Sequence, residues 1–189
     1  AKALNLMLSD YNLPTYEEAK IRHWVGNGAR VLVERGLSGN IKINHAFSQE
    51  EVDIALDKFL ICYRTLETKS TVLYDGVAAT LKTLKAHGFT LALVTNKPSE
   101  FIEPILTSFS LLPLFSITIG GDTLLEKKPS ALPLMHACEK LGVLPSECVM
   151  VGDSKNDILA AKAANIKSIG LTYGYNYGES IATYQPDWV

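Results

Sequence analysis

Four short apolar runs punctuate the second half of the chain, and a segment of helical periodicity separates each from the next. They are T-L-A-L-V-T (Thr90 to Thr95), F-S-I-T-I-G-G (Phe115 to Gly121), C-V-M-V-G-D (Cys148 to Asp153) and S-I-G-L-T (Ser168 to Thr172). The first, short, wholly apolar and rich in β-formers, suits a strand buried on both faces, which is the environment of a parallel sheet. The segments before and between them, around Val77–Leu84, from Ser99, Pro133–Leu141 and Ile158–Ala164, carry the spacing of helices. Alternation at these lengths implies right-handed βαβ crossovers, so the predicted fold class is α/β, a doubly wound parallel sheet.

Residues before about 70 follow a different pattern and read as helix throughout. Thr15-x-x-Glu18 and Ser48-x-x-Glu51 are capping-box patterns, each placed before a helical stretch. After Ser48, the residues Val52, Ala55, Leu56, Phe59, Leu60 and Tyr63 recur at three-four spacing along one helical face. Ala1 to Leu8 reads as another helix. G-N-G-A-R (Gly26 to Arg30) breaks a second helix and opens a third, which Gly36 is placed to end. The chain therefore divides into an all-α helical cap, residues 1–70, and an α/β core, residues 71–189.

The formal net charge of −2 offers no electrostatic reason for a nucleic-acid or anionic-membrane partner. Three scattered cysteines, Cys62, Cys138 and Cys148, form no C-x-x-C pair and point to reduced thiols and a cytoplasmic setting. No apolar run approaches the roughly 20 residues that span a bilayer.

Ligands of an open parallel α/β sheet bind beyond the carboxyl ends of its strands. Thr95, Asn96 and Lys97 follow the first run, Asp122 and then Lys127, Lys128 and Pro129 the second, and Asp153 and Asp157 the third. Singly, each has a plain structural reading. Thr95 and Asn96 are turn formers, Lys128 a solvated lysine, and Asp153 and Asp157 a cap and a charge at a helix start. Together they bring a hydroxyl, an ammonium and carboxylates to one rim. That set suits phosphoryl transfer: carboxylate oxygens hold a hard cation, while lysine and hydroxyl orient phosphoryl oxygens as charge develops.

In this order, V-T-N-K, K-K-P and V-G-D-S-x-x-D, the chain resembles the haloacid dehalogenase-like (HAD) superfamily of aspartyl phosphatases. W-V-G-N-G-A-R, V-T-N-K-P, G-G-D-T-L-x-E-K-K-P and L-T-Y-G-Y resemble its bacterial phosphoglycolate phosphatases along nearly the whole chain. K-K-P-S-A-L-P departs from the pattern at Ser130 and Ala131, where histidine and proline are expected. The resemblance implies that Thr95 bonds the transferring phosphoryl group while Asn96 shapes the loop. It implies that Lys128 neutralises charge, that Asp153 ligates Mg²⁺, and that Asp157 supports the metal or its water.

The superfamily's nucleophile lies in a D-x-D-G-T motif at the end of a central strand, and no D-x-D occurs here. The chain is expected to begin inside the cap, after that motif, and to stop at P-D-W-V, the opening of a final strand. A catalytically inactive relative is the rival reading. In the cap, Asn27, Gly28 and Arg30 are the candidates for contacting the substrate beyond its phosphate, the arginine meeting a carboxylate bidentately. An Asn-Gly turn with an exposed arginine is the plainer alternative. His23 and Trp24 read as helix packing, and the tyrosines of Y-G-Y-N-Y as a loop beside the site. The expected activity is Mg²⁺-dependent hydrolysis of a small phosphate ester, 2-phosphoglycolate first, by a monomer or homodimer. A sugar phosphate or pyrophosphate, or a non-catalytic module resembling a receiver domain, are the alternatives.

Overall fold

The computed structural model describes residues 1–189, except the side chains of 67–70. The cap is built from α1 (Lys2–Asp10), α2 (Glu18–Arg22), α3 (Ala29–Ser38) and α4 (Gln49–Ser70). Helix α1 packs against α3 and α4, sealing a core of Leu4, Met7, Leu8, Ile21, Trp24, Val33, Val52, Ala55 and Phe59. Ser48 and Glu51 form the expected capping box on α4: the Glu51 amide donates to Ser48 Oγ at 3.2 Å and the Ser48 amide to Glu51 at 2.7 Å. The Thr15 box does not form, because α2 starts at Glu18 with Glu17 before it. Gly36 does not end α3. It sits inside the helix against Leu4, and Gly39, with φ of +62°, makes the left-handed cap.

Leu4 is fully enclosed. Leu4→Ala should cost about 2–5 kcal/mol, the lost transfer energy plus the cavity left behind. It should show as a lower urea midpoint with an unchanged slope.

The core alternates helix and strand as expected: α5 (Val77–Ala86), β1 (Leu91–Val94), α6 (Ile102–Ser108), β2 (Phe115–Ile119), α7 (Leu132–Leu141), β3 (Val149–Gly152), α8 (Lys155–Ala163) and β4 (Lys167–Gly170). β1 pairs with β2 and β3 with β4, both in parallel. Trp188 of P-D-W-V adds a parallel bridge to Ile169 on the far side of β4. Two apolar clusters support the halves. Ile102, Leu106 and Leu111 pack toward Leu93 and Phe115, while Leu134, Cys138, Ala160, Ala161 and Ile166 pack toward Val94 and Met150.

The sheet lies in two parts, as a chain without the central nucleophile strand is expected to show. β1 and β3 do not pair with each other, and each has one strand neighbour among the described residues. The apolar strands are consequently less enclosed than their composition predicts: Val149 and Val151 are 51% and 52% exposed. Among the described residues no helix is long and apolar enough to cross a membrane.

Candidate active site

β1 and β2 run in register to Val94 and Ile119, and the Thr95 amide donates to the Ile119 carbonyl at 2.9 Å. The chain then turns sharply, with Thr95 Oγ1 accepting from the Lys97 amide at 3.1 Å. Thr95 is thus held at the carboxyl end of β1. Asn96 turns its amide group inward, donating to the Gly26 carbonyl at 2.9 Å and the Lys128 carbonyl at 2.8 Å. Two carbonyls require a donor, which fixes the amide's orientation. Its oxygen is then buried with no partner among the described residues. Asp122, another strand-end residue, accepts from the Ser99 amide at 2.8 Å and so starts the turn before α6.

Lys128 is buried rather than solvated. Its ammonium donates to the Val94 carbonyl at 2.5 Å and to Asp157 Oδ1 at 2.6 Å, joining the end of β1 to the start of α8. Asp157 stands third in α8. Its second oxygen accepts from the Ser154 amide at 3.0 Å, and Ser154 Oγ accepts from the Asn156 amide at 3.2 Å. This capping box draws the carboxylate back over the end of β3. Only glycine at 152 permits it, since a Cβ there would lie 2.3 Å from that of Asp157. Both oxygens of Asp157 therefore accept from protein donors. The capping position turns Asp157 toward Lys128, and each of its oxygens, with one donor, keeps capacity to accept another hydrogen bond.

Asp153 keeps the exit of β3. Its Oδ2 accepts from the Tyr175 amide at 2.7 Å. Burial raises its carboxyl above the usual range, the Tyr175 amide opposes that, and the negative charge of Asp157 adds to it. A half-buried carboxylate in that position gains from a cation. Among the described residues no three His, Cys, Asp or Glu side chains cluster as a cage. The residues present thus fit a cation that takes one carboxylate and keeps water and phosphate oxygens, as Mg²⁺ does.

In the cap, Arg30 is engaged by its own helices. Its guanidinium pairs with Asp53, donates to Gln49 Oε1 at 2.7 Å and lies 3.9 Å from Glu34. These are α4 and α3 residues, so the arginine braces the cap. Asn27 and Gly28 do face the core. Asn27 Oδ1 accepts from the Tyr177 hydroxyl at 2.8 Å, and a Cβ on Gly28 would lie 3.0 Å from Lys127 Nζ. His23 and Trp24 follow the packing reading only for the tryptophan, which is buried edge-on to Tyr16 at 5.1 Å.

Asn156 has no signal in the sequence reading, Lys127 figures there only as a strand-end group, and Tyr177 only as one of the tyrosines in the loop beside the site. Lys127 hides beside the more diagnostic Lys128, and Asn156 beside Asp157. Tyr177 lies 150 residues from its partner Asn27, so no local spacing announces it.

The chain as a whole is similar to known proteins. Residues 1–171 match the model of the haloacid dehalogenase-like hydrolase family. A protein of Colwellia psychrerythraea named phosphoglycolate phosphatase is 53% identical over all of this chain and 83% of its own length. One of the same name from Psychrobacter arcticus is 46% identical over 98% of this chain and 81% of its length. The crystal structure of a predicted phosphoglycolate phosphatase from Haemophilus somnus superposes with a TM-score of 0.92 at 41% identity, covering 100% of this chain and 84% of that one. With a matching family model over most of its length and relatives this similar, the chain belongs to the haloacid dehalogenase-like hydrolases.

Proposed function

We propose that the protein is a Mg²⁺-dependent phosphomonoester hydrolase whose substrate is 2-phosphoglycolate. The observation that carries this reading is the Lys128 ammonium, buried between the end of β1 and Asp157 with its charge directed by both. Thr95 and Asp153 stand on the two adjoining strand ends. The names borne by the most similar relatives support the substrate.

In this reading Thr95 Oγ1 and Lys128 Nζ bind oxygens of the transferring phosphoryl group, and Lys128 offsets charge that grows towards the transition state. Asp153 holds Mg²⁺, which when bound neutralises phosphate charge and orients the group for in-line attack. The attacking carboxylate forms an aspartyl-phosphate, glycolate departs, and water releases phosphate. That carboxylate belongs to a segment outside these 189 residues, on a strand between β1 and β3. The strand edges those two direct away from β2 and β4 support this, as do relatives longer than the matched span.

The cap loop closes over the substrate's far end. There the cation beside Gly28 is Lys127, which is half-buried and has no ion-pair partner among the described residues, whereas Arg30 is occupied. Lys127 therefore meets the carboxylate. A panel of phosphate monoesters tests the reading in the full-length natural protein. 2-Phosphoglycolate should show the highest kcat/KM, and chelation of Mg²⁺ should remove turnover. A preferred sugar phosphate or pyrophosphate overturns the substrate assignment. Lys127→Ala should raise KM for 2-phosphoglycolate more than for p-nitrophenyl phosphate, and Arg30→Ala should change neither.

A further inference from the structure

The loop after β4, residues 172–178, spans the whole site and touches both of its halves. At one end the Tyr175 amide donates to Asp153, and Asn176 Oδ1 accepts from the Lys155 amide at 2.8 Å. At the other, the Tyr177 hydroxyl donates to Asn27 Oδ1 of the cap at 2.8 Å and accepts from Asn156 Nδ2 at 3.0 Å. The same Asn156 amide donates to the Gly26 carbonyl at 3.0 Å, which also takes the Asn96 amide at 2.9 Å. One cap carbonyl is therefore gripped by side chains from the turn that follows β1 and from the start of α8.

These bonds join segments as much as 150 residues apart, and Tyr177 and Asn156 are buried where they make them. The approach is close. Gly26 has φ of +126°, and a Cβ on it would lie 2.4 Å from the Tyr177 hydroxyl oxygen. Tyr177 itself is held at φ of +56°, a conformation a tyrosine adopts only when its surroundings demand it. The grip consists of exchangeable hydrogen bonds, which water can replace at little net cost. Such a contact is strong enough to bias a closed position and weak enough to release it.

We propose that Tyr177 and Asn156 are positioning residues, a clasp that holds the cap loop over the site and ties its closed position to the Asp153 carboxylate through loop 172–178. The proposal rests on the phosphatase reading for its kinetic consequence but not for the clasp itself. A substrate that needs the closed cap binds with apparent affinity reduced by the fraction of molecules closed.

Tyr177→Phe keeps the ring and removes the two bonds of the hydroxyl. In the full-length natural protein it should raise KM for 2-phosphoglycolate about tenfold with kcat within about threefold, since one net hydrogen bond is on this scale. KM for p-nitrophenyl phosphate, whose bulk opposes closure, should move much less. Amide hydrogen exchange of residues 24–30, measured without substrate, should accelerate about tenfold while α8 keeps its protection. Asn156→Ala should act in the same direction. Tyr177→Phe added to Gly26→Ala should do no further harm, because both break one contact. Unchanged exchange at 24–30, or equal KM rises for both esters, overturns the clasp. An exchange effect in a protein that fails to cleave 2-phosphoglycolate leaves the clasp standing and sinks the substrate assignment alone.

Discussion

Asp153→Asn is expected to abolish Mg²⁺-dependent turnover, by about 10³-fold or more, in a protein that stays folded. The substitution keeps the volume and leaves an oxygen to accept the Tyr175 amide, now 2.7 Å away. What it removes is the charge on a hard-cation ligand, and with it stabilisation worth several kcal/mol at the transition state. Stability should move the other way. Burial raises the Asp153 carboxyl above its unfolded value, so without metal the ionised form is disfavoured by the fold. Stability from the neutral acid is present below the unfolded pKa and is lost as pH rises through the folded one. Asparagine has no charge to bury. The metal-free variant should therefore melt at the same temperature as the natural protein or higher at pH 7, and the two should converge in acid. Full turnover at ordinary Mg²⁺ concentrations would remove Asp153 from the metal site.

Lys128→Ala should lower kcat about 10²–10³-fold, the loss typical of one donor aimed at developing charge. It should also destabilise. Lys128 and Asp157 are 8% and 7% exposed in their side chains, so removing the ammonium strands a buried carboxylate. Breaking such a pair costs about 3–5 kcal/mol. The two effects separate in Lys128→Met/Asp157→Asn, which keeps the capping oxygen for the Ser154 amide and removes both charges. That double variant should recover much of the lost stability and none of the activity. Recovery of turnover with stability would reduce the pair to a purely structural role.

How far the site was legible follows from the range over which each signal acts. The placement of Thr95, Lys128 and Asp153 was legible because each follows an apolar run, and a parallel sheet places such positions on one rim whatever the details of packing. The capping box at Ser48 was legible because it closes within one helical turn, whereas that at Thr15 failed once α2 began further on. The pairing of Arg30 was out of reach for a matching reason. Its partners Asp53 and Gln49 lie about twenty residues away on α4, where a motif centred on G-N-G-A-R carries no information.

From the sequence alone come the α/β class and the types of group at the strand ends. Those depend on hydrophobic periodicity and on residues immediately beyond each run. Only the tertiary structure decided which group holds which. It gave Asp157 to Lys128, 29 residues away, turned Arg30 into the cap, and brought Asn96, Asn156 and Tyr177 onto the Gly26–Asn27 turn. A hydrogen bond is settled by ångström distances that the packing of cap on core sets, and no pattern local to the chain encodes a distance across it.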